Sequence, residues 1–429
     1  MKKILIKNFG PIENFEMDIK KINIFIGPQA GGKSTIAKSI FLVENIKMEL
    51  LEHIRNIENE DENIHLLKYF NKKLKNRFVS LFGTTKHMDN FEIKYILNTD
   101  KWLKFYLDNG YVKIYYSRKL KEEIENLKND IEKIINLNKD LKLNPLKEEI
   151  LTKRFYFYSV IKNQINKIFE EESFIEYIPA GRALLSVLAE QIGNIDINQL
   201  DYVTKKYISN ILNLRKLFSD DIFTIIENFK KFETEKIDFA KIDIVIKKIQ
   251  NILKGNYKFE SGEEKIYFDD KRYVKINFAS SGQQESLWIL NLIFHHILFN
   301  RPTTLIIEEP EAHLYPNAQK EIVELMSVFA NKNNNKLIVT THSPYILSAF
   351  NNLIYANKLD KKNIKIDFIN KNEFINYKEV NAFFISQDKI YTILDKEIEQ
   401  IKVEKIDEVS DIINKEYQKL LELEYSNEI

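Results

Sequence analysis

One apolar run that ends in a glycine-rich loop limits what this chain can become. Ile22-Asn23-Ile24-Phe25-Ile26 leads straight into Gly27-Pro28-Gln29-Ala30-Gly31-Gly32-Lys33-Ser34. A short apolar run bounded by glycine reads as a buried strand. The pattern G-x-x-x-x-G-K-[ST] follows it, and a helix carrying Ile36, Ile40 and Leu42 follows from about Ser34. Strand, loop and helix in that order are what a phosphate-cradling loop needs. Glycines let successive backbone N–H groups turn inward without Cβ clashes. The helix brings its positive end to the same point. Lys33 would reach the β- and γ-phosphates, and the Ser34 hydroxyl would ligate Mg²⁺. The candidate ATP contacts here are Gly27, Pro28, Gln29, Ala30, Gly31, Gly32, Lys33, Ser34 and Thr35.

Composition narrows the class further. The chain has 429 residues, 44% of them hydrophobic and 12% aromatic, enough for more than one core. Lys+Arg 64 against Asp+Glu 63 leaves a net charge of +1, so bulk charge argues for neither nucleic acid nor membrane. Zero cysteine excludes disulfides, thiolate nucleophiles and cysteine-based zinc sites. The N-terminal stretch lacks the apolar core of a signal peptide. The most apolar segment, Leu287 to Phe299, is interrupted by Asn291 and two histidines and is too short to span a bilayer. A cytoplasmic protein without a membrane partner is expected. With only 11 glycines and 8 prolines, long helices are favoured and the places where these residues gather are informative.

Along the chain, strands are expected at Ile4–Asn8, Phe15–Ile19 and Ile22–Ile26. FEIKYIL, KWLKFYL and YVKIYYS, between Phe91 and Ser117, alternate and are parted by turn residues, including Asp108-Asn109-Gly110; they predict an antiparallel meander. Leu120, Ile124, Leu127, Ile131 and Ile134 keep heptad spacing among charges, and Pro145 parts them from a second helix at about 146–171. A short coiled-coil seam or an ordinary amphipathic helix pair would both read this way. Ser173–Ile178 predicts a strand ending at Pro179-Ala180-Gly181-Arg182. Helices follow over Ala183–Gly193 and 198–253, then a hairpin over Tyr257–Phe278. A helix at Glu285–Phe299, a strand at Thr304–Ile307, a helix at Asn317–Asn331, a strand at Lys336–Thr340 and a further helix predict an α/β layer. The C-terminal segment predicts strands and a charged helix at Val409–Glu422.

Three further motifs bear on chemistry. Leu305-Ile306-Ile307-Glu308-Glu309 delivers two carboxylates at the carboxyl end of a buried strand, where open α/β sheets bind ligands. One can hold Mg²⁺ and the next can polarise an attacking water. Ser280-Ser281-Gly282-Gln283-Gln284-Glu285 lies where a helix N-terminus offers free N–H groups, although serine capping alone would also explain it. Leu337-Ile338-Val339-Thr340-Thr341 ends at His342, a candidate γ-phosphate contact or a structural histidine.

The order of these motifs resembles the head of an ATP-binding-cassette ATPase, as in SMC-like proteins. The resemblance is closer to bacterial AAA ATPases related to OLD-family and abortive-infection proteins, through YIPAGR (Tyr177–Arg182), SSGQQE (Ser280–Glu285), EEPEAHLYP (Glu308–Pro316) and THSPYIL (Thr341–Leu347). It implies an α/β P-loop NTPase head: a mixed sheet flanked by helices, with a helical insertion and antiparallel β-hairpins. By this resemblance Lys33 is the Walker A lysine, Glu308 stands in place of the usual Walker B aspartate, Glu309 is the catalytic carboxylate and His342 the switch histidine. Ser34 and Glu308 would hold Mg²⁺. Ser281, Gly282 and Gln283 would contact ATP held by the other subunit, and Arg182 is a candidate γ-phosphate or partner-sensing residue, or a plain surface arginine.

The expected organisation is a head segment at 1–60, a β-meander subdomain at 61–118, a helical hairpin insert at 119–172, a strand-plus-helices subdomain at 173–255 and the rest of the head at 256–429. The implied protein hydrolyses ATP, closes as a homodimer over two ATP–Mg²⁺, and regulates a separate effector, a nuclease or toxin, in anti-phage defence. Residues 351–429 contain no Asp-x-Asp pair, so a Toprim nuclease within the chain is not expected. The alternatives are a DNA-maintenance ATPase with duplex DNA across the closed dimer, for which Lys72 to Arg77 is a candidate contact stretch, and a non-hydrolysing ATP-gated scaffold.

Overall fold

The computed structural model describes residues 2–57, 62, 65–88, 90–143, 148–184, 200–232, 238–402 and 414–420. The N-terminal third comprises β1 (Lys3–Phe9), β2 (Ile12–Asp18), β3 (Ile22–Ile26), α1 (Lys33–Glu44), α2 (Ile46–Arg55), α3 (Leu66–Phe82), β4 (Glu92–Ile96), β5 (Trp102–Asp108) and β6 (Tyr111–Tyr116). Next come α4 (Arg118–Glu125), α5 (Lys128–Leu143), α6 (Glu148–Phe169), β7 (Phe174–Ile178), α7 (Tyr202–Leu214), α8 (Ile222–Phe232), α9 (Phe239–Leu253), β8 (Asn256–Glu260), β9 (Glu263–Tyr267) and β10 (Tyr273–Lys275). The last part holds α10 (Ser281–Leu298), β11 (Thr303–Glu308), α11 (Pro316–Ala330), β12 (Lys336–Thr341), α12 (Pro344–Asp360), β13 (Val380–Ile385) and β14 (Ile390–Thr392).

The central sheet runs β14-β13-β3-β12-β11-β7, parallel except for the edge strand β14. Its inner strands are buried on both faces, which is why INIFI and TTLIIE are near-continuous apolar runs rather than alternating ones. Alternate residues serve two different cores. Ile22, Ile24 and Ile26 of β3, Leu305 and Ile307 of β11, and Leu337 and Val339 of β12 join one core with α9–α12. Phe25, Ile306 and Ile338 point into the second core, shared with α1–α6 and the antiparallel strands. The sheet is thus a layer between two cores, and its carboxyl edge is where the loops that follow β3, β11 and β12 come together.

The predicted meander exists, with β4, β5 and β6 close to their expected limits, but β4 pairs with β1. The five strands β2-β1-β4-β5-β6 form one sheet, so the expected 61–118 subdomain is continuous with the N-terminal segment. The reason is that β1, paired with β2 on one side, still offers backbone donors and acceptors on the other. Likewise β7 does not open a separate 173–255 unit; it is the edge strand of the central sheet beside β11.

The heptad seam spans two helices, since the chain breaks between α4 and α5. Leu120, Ile124, Leu127, Ile131 and Ile134 are all buried in the second core, and Gln164 of α6 donates to Asp130 of α5 at 2.9 Å. The seam faces a globular core, so the amphipathic-pair reading describes it better than a free coiled coil. Beyond Leu184, the predicted helix Ala183–Gly193 lies outside the described residues, and of Val409–Glu422 only 414–420, which is helical, lies within them. A three-stranded sheet, β10-β9-β8, replaces the single hairpin expected at 257–278. It docks on α10 through Glu264, whose carboxylate accepts from Tyr257 Oη (2.7 Å) and Trp288 Nε1 (3.1 Å). None of the described helices is long and apolar enough to cross a membrane.

Candidate nucleotide site

The loop after β3 has the backbone its sequence demands. Gly27 has φ 152°, and a Cβ there would lie 2.0 Å from the Ile385 carbonyl oxygen. At Gly31 the same oxygen would be 2.6 Å away. The glycines therefore do more than turn N–H groups inward: they let the loop lie directly against the end of β13. Pro28, Gln29, Ala30 and Ser34 are exposed, and Thr35 is half-buried against the β1–β2 turn at Gly10. Lys33 opens α1 but is buried, and its ammonium donates to the carbonyls of Gly27 (2.8 Å) and Pro28 (2.7 Å). Burial lowers its proton affinity, partly offset by the carboxylates of Glu309, Glu311 and Glu308. Lys33 and the acidic turn after β11 are thus near neighbours across the sheet edge.

The parallel register explains this. Ile26 lies beside Thr341, and Thr340 beside Glu308, so β3, β12 and β11 end together. Glu308 is buried; its Oε2 accepts from Ala180 N at 3.3 Å, while Oε1 has no hydrogen-bond partner among the described residues. A buried, orphaned carboxylate oxygen fits a bound cation. No group of three or more His, Asp or Glu able to hold a metal occurs among the described residues. An ion there would need Ser34 and phosphate oxygens as well, which suits Mg²⁺ arriving with a nucleotide.

Glu309 is held in the left-handed region at φ 44°, and its N–H donates to Thr340 O at 2.8 Å. Such a conformation costs of order 1–3 kcal/mol in a non-glycine residue and is found where function demands it. The Glu309 side chain meets His342, whose Nε2 lies 3.4 Å from Glu309 Oε1. Both side chains are partly exposed. The carboxylate and imidazole expected to act together are therefore paired.

Sequence reasoning missed the residue that aims His342. Glu311 Oε1 accepts from His342 N (2.7 Å) and Thr341 Oγ1 (2.8 Å). Its other oxygen is buried without a partner, and burial pushes the carboxyl above its ordinary range despite those hydrogen bonds. Gln319 Oε1 accepts from Ser343 Oγ at 2.6 Å, and Ser343 in turn caps α12. Tyr177 was missed too: burial first, then the Glu308 carboxylate, raises its phenol well above the usual value. A third acidic residue two positions past the Glu308-Glu309 pair was the one available signal for Glu311.

On the other side of β11, Ser281 and Gly282 lie in the first turn of α10, which starts earlier than the expected Glu285 because Ser280 caps it. Ser281 is exposed. A Cβ on Gly282 would lie 2.8 Å from the His313 carbonyl, so the helix start is pressed against the acidic turn. Two expectations need correction. Gln283 was expected to contact nucleotide, but its Oε1 accepts from Ser280 in a capping box and its Nε2 donates to Leu253 O at 2.7 Å. Arg182 was expected to reach a γ-phosphate or a partner, or to be a plain surface arginine, yet it is wholly buried. Its guanidinium donates to the carbonyls of Pro179, Glu285, Glu308 and Glu309 at 2.6–2.8 Å. Its interior position is set by carbonyls of β11 and α10 that lie more than a hundred positions away in the chain, which no local pattern records.

Over 118 residues the chain is 32% identical to a probable ABC transporter ATP-binding protein p29 of Mesomycoplasma hyorhinis, a match covering 28% of this chain and 41% of that protein. Over 75 residues it is 27% identical to the lipoprotein-releasing system ATP-binding protein LolD of Neorickettsia sennetsu, covering 18% and 31% respectively. The chain thus spans less than half the length of either relative. A solved SmcHead bound to the C-winged helix domain of ScpA is similar over 92% of this chain and 98% of that one, with 11% identity and a TM-score of 0.42. The phosphate loop, the paired carboxylates and the histidine lie on one sheet edge, and residues 1–347 match the AAA ATPase domain model; the chain belongs to that ATPase family.

Proposed function

We propose that this protein binds and hydrolyses ATP with Mg²⁺, and that two copies close over two nucleotides. The observation that carries the reading is the common end of β3, β12 and β11, which brings Lys33, Glu308, Glu309 and His342 together. Lys33 would leave its loop carbonyls for the β- and γ-phosphates, with the loop N–H groups holding the rest of the charge. Ser34 and Glu308 would hold Mg²⁺, which supplies positive charge to the phosphate oxygens when bound. Glu309 would accept a proton from the attacking water, with His342 orienting that carboxylate and bonding the γ-phosphate. The carboxylates lie on the β12–β11 side of the loop, so the nucleoside would extend the other way, toward β13. A cavity of about 1150 Å³ lies there, lined in part by Gly10, Ile12, His87, Asn109 and Gln387.

The exposed Ser281 at a helix start supports the dimer reading. It is a ready anion contact that would serve ATP held by a second copy. A separate nuclease or toxin effector in anti-phage defence, in the manner of OLD-related ATPases, is the proposed setting and rests on the motif resemblance alone. The alternative, a DNA-maintenance ATPase, is weakened at its sequence candidate: Lys73 and Arg77 are ion-paired to Glu49, and Arg77 also stacks on Tyr202. Purified protein and its Glu309→Gln variant decide the matter. Hydrolysis by the parent, with ATP-dependent doubling of mass in the variant, is expected. No ATP binding and no ATP-dependent change in size would sink the reading. Steeply salt-dependent DNA binding by the variant would favour DNA maintenance, and a co-purifying effector would favour defence.

A further inference from the structure

Arg182 is a fully buried arginine at a junction of three chain segments. Its Nη1 donates to Pro179 O (2.7 Å) in the turn after β7 and to Glu308 O (2.6 Å) at the end of β11. Its Nη2 donates to Glu309 O at 2.7 Å. Its Nε donates to Glu285 O in the first turns of α10 at 2.8 Å and lies 3.3 Å from Glu285 Oε2. Glu285 is itself buried and accepts from the backbone N–H groups of Arg182 (3.0 Å) and Ala183 (3.1 Å). One planar cation and one carboxylate thus lock the β7 turn, the paired acids and the helix bearing Ser281–Gly282.

Stability alone is a weak reason for such a pair, because desolvating two charges offsets much of their attraction and apolar residues fill such space as well. What a guanidinium supplies and an apolar side chain does not is fixed direction toward several carbonyls at once. Those carbonyls flank the strained peptide that sets the Glu309 side chain, and Glu285 lies one helical turn past Ser281.

We propose that Arg182, with Glu285 as its counter-charge, is a positioning residue that holds the start of α10 and the carboxyl end of β11 in one relative geometry. The consequence rests on the ATPase reading above. Occupancy of the Glu308–Glu309 side of the site would set the position of the Ser281–Gly282 helix start presented to a second copy. Arg182 would act through these groups and not by touching phosphate.

The chain has no cysteine, so a label pair can be introduced cleanly at Phe278→Cys and Tyr315→Cys, which are 80% and 77% exposed and flank α10 and the acidic turn. Spin-label distances in the full chain without nucleotide are expected to be narrow in the labelled parent and clearly broadened by Arg182→Lys and by Glu285→Gln. In the Glu309→Gln background the same substitutions should raise the ATP concentration needed for dimerisation roughly 10- to 100-fold. ADP affinity should stay within about 3-fold, a change of under ~0.7 kcal/mol. Unchanged label distances in both folded variants would overturn the proposal, as would parallel loss of ADP affinity and dimerisation, which marks a merely structural residue. If Arg182→Lys does not fold, Glu285→Gln keeps the arginine and carries the same measurements. Were the parent itself to lack ATP binding, the ATPase reading would fail, while the label distances would still judge the role of Arg182.

Discussion

The phosphate loop and the carboxylate edge stand two strands apart in one sheet, yet they are assembled in opposite ways. Residues 27–35 form a single run whose shape follows from its own glycines and the helix after it. The carboxylate edge draws on the β7 turn, β11, β12 and the start of α10; Arg182 bonds partners 103 and 126 positions away. A contiguous loop can be read by pattern. A junction of distant segments is defined by which carbonyl meets which donor, and no local spacing records that. The loop also depends on its surroundings in one respect: Gly27 and Gly31 are pressed against Ile385, far along the chain.

The comparison can be broken most forcefully on the carboxylate side. Glu309→Gln removes the proposed base while keeping shape, so turnover should fall roughly 10²- to 10⁴-fold with ATP binding retained. Steady-state hydrolysis and nucleotide titration check both halves. On the loop side, Gly27→Ala should destabilise by about 3 kcal/mol or more, since its Cβ would overlap a backbone oxygen. Gly110→Ala and Gly262→Ala make the control: their φ values are 76° and 81° with nothing within 4 Å, and about 1–2 kcal/mol is expected. Denaturant melts of the three variants separate contact from conformation.

Smaller effects should follow at the residues that aim the chemistry. His342→Ala loses the contact to Glu309, and a cost of ~2 kcal/mol, or roughly 30-fold in turnover, is expected. The smallest effect concerns pH. Burial raises the Glu311 carboxyl above 4.5, so the folded state holds that proton more tightly than the unfolded chain. Its stabilising contribution is complete below about 4.5 and is lost as pH rises through the raised folded value. Glu311→Gln should therefore melt higher than the parent at neutral pH, by about 2 °C, with the advantage shrinking as pH falls to 4. Melting curves across that range test the sign directly.

Much of the fold was legible. The limits of β3 were read correctly, those of α10, β11, α11 and β12 to within a few residues, and the meander strands nearly so, because glycine, proline and apolar runs mark those limits locally. The pairing of β4 with β1 was not, since an exposed strand edge carries no label for its partner. In the site, the loop residues, the acid pair and the histidine came from local pattern. Glu311, Tyr177, the burial of Arg182 and the internal hydrogen bonds of Gln283 did not.

By itself, the sequence determined the phosphate loop, the strand-borne carboxylates and the alternating α/β order, because each is written within a stretch shorter than one element and its neighbours. Only tertiary structure decided that Arg182 is interior, that Glu309 meets His342, and that Glu308 keeps an unpartnered oxygen. Those facts depend on strands brought side by side from far apart in the chain. There, the absence of water makes each donor and acceptor find a partner or stand out for lacking one.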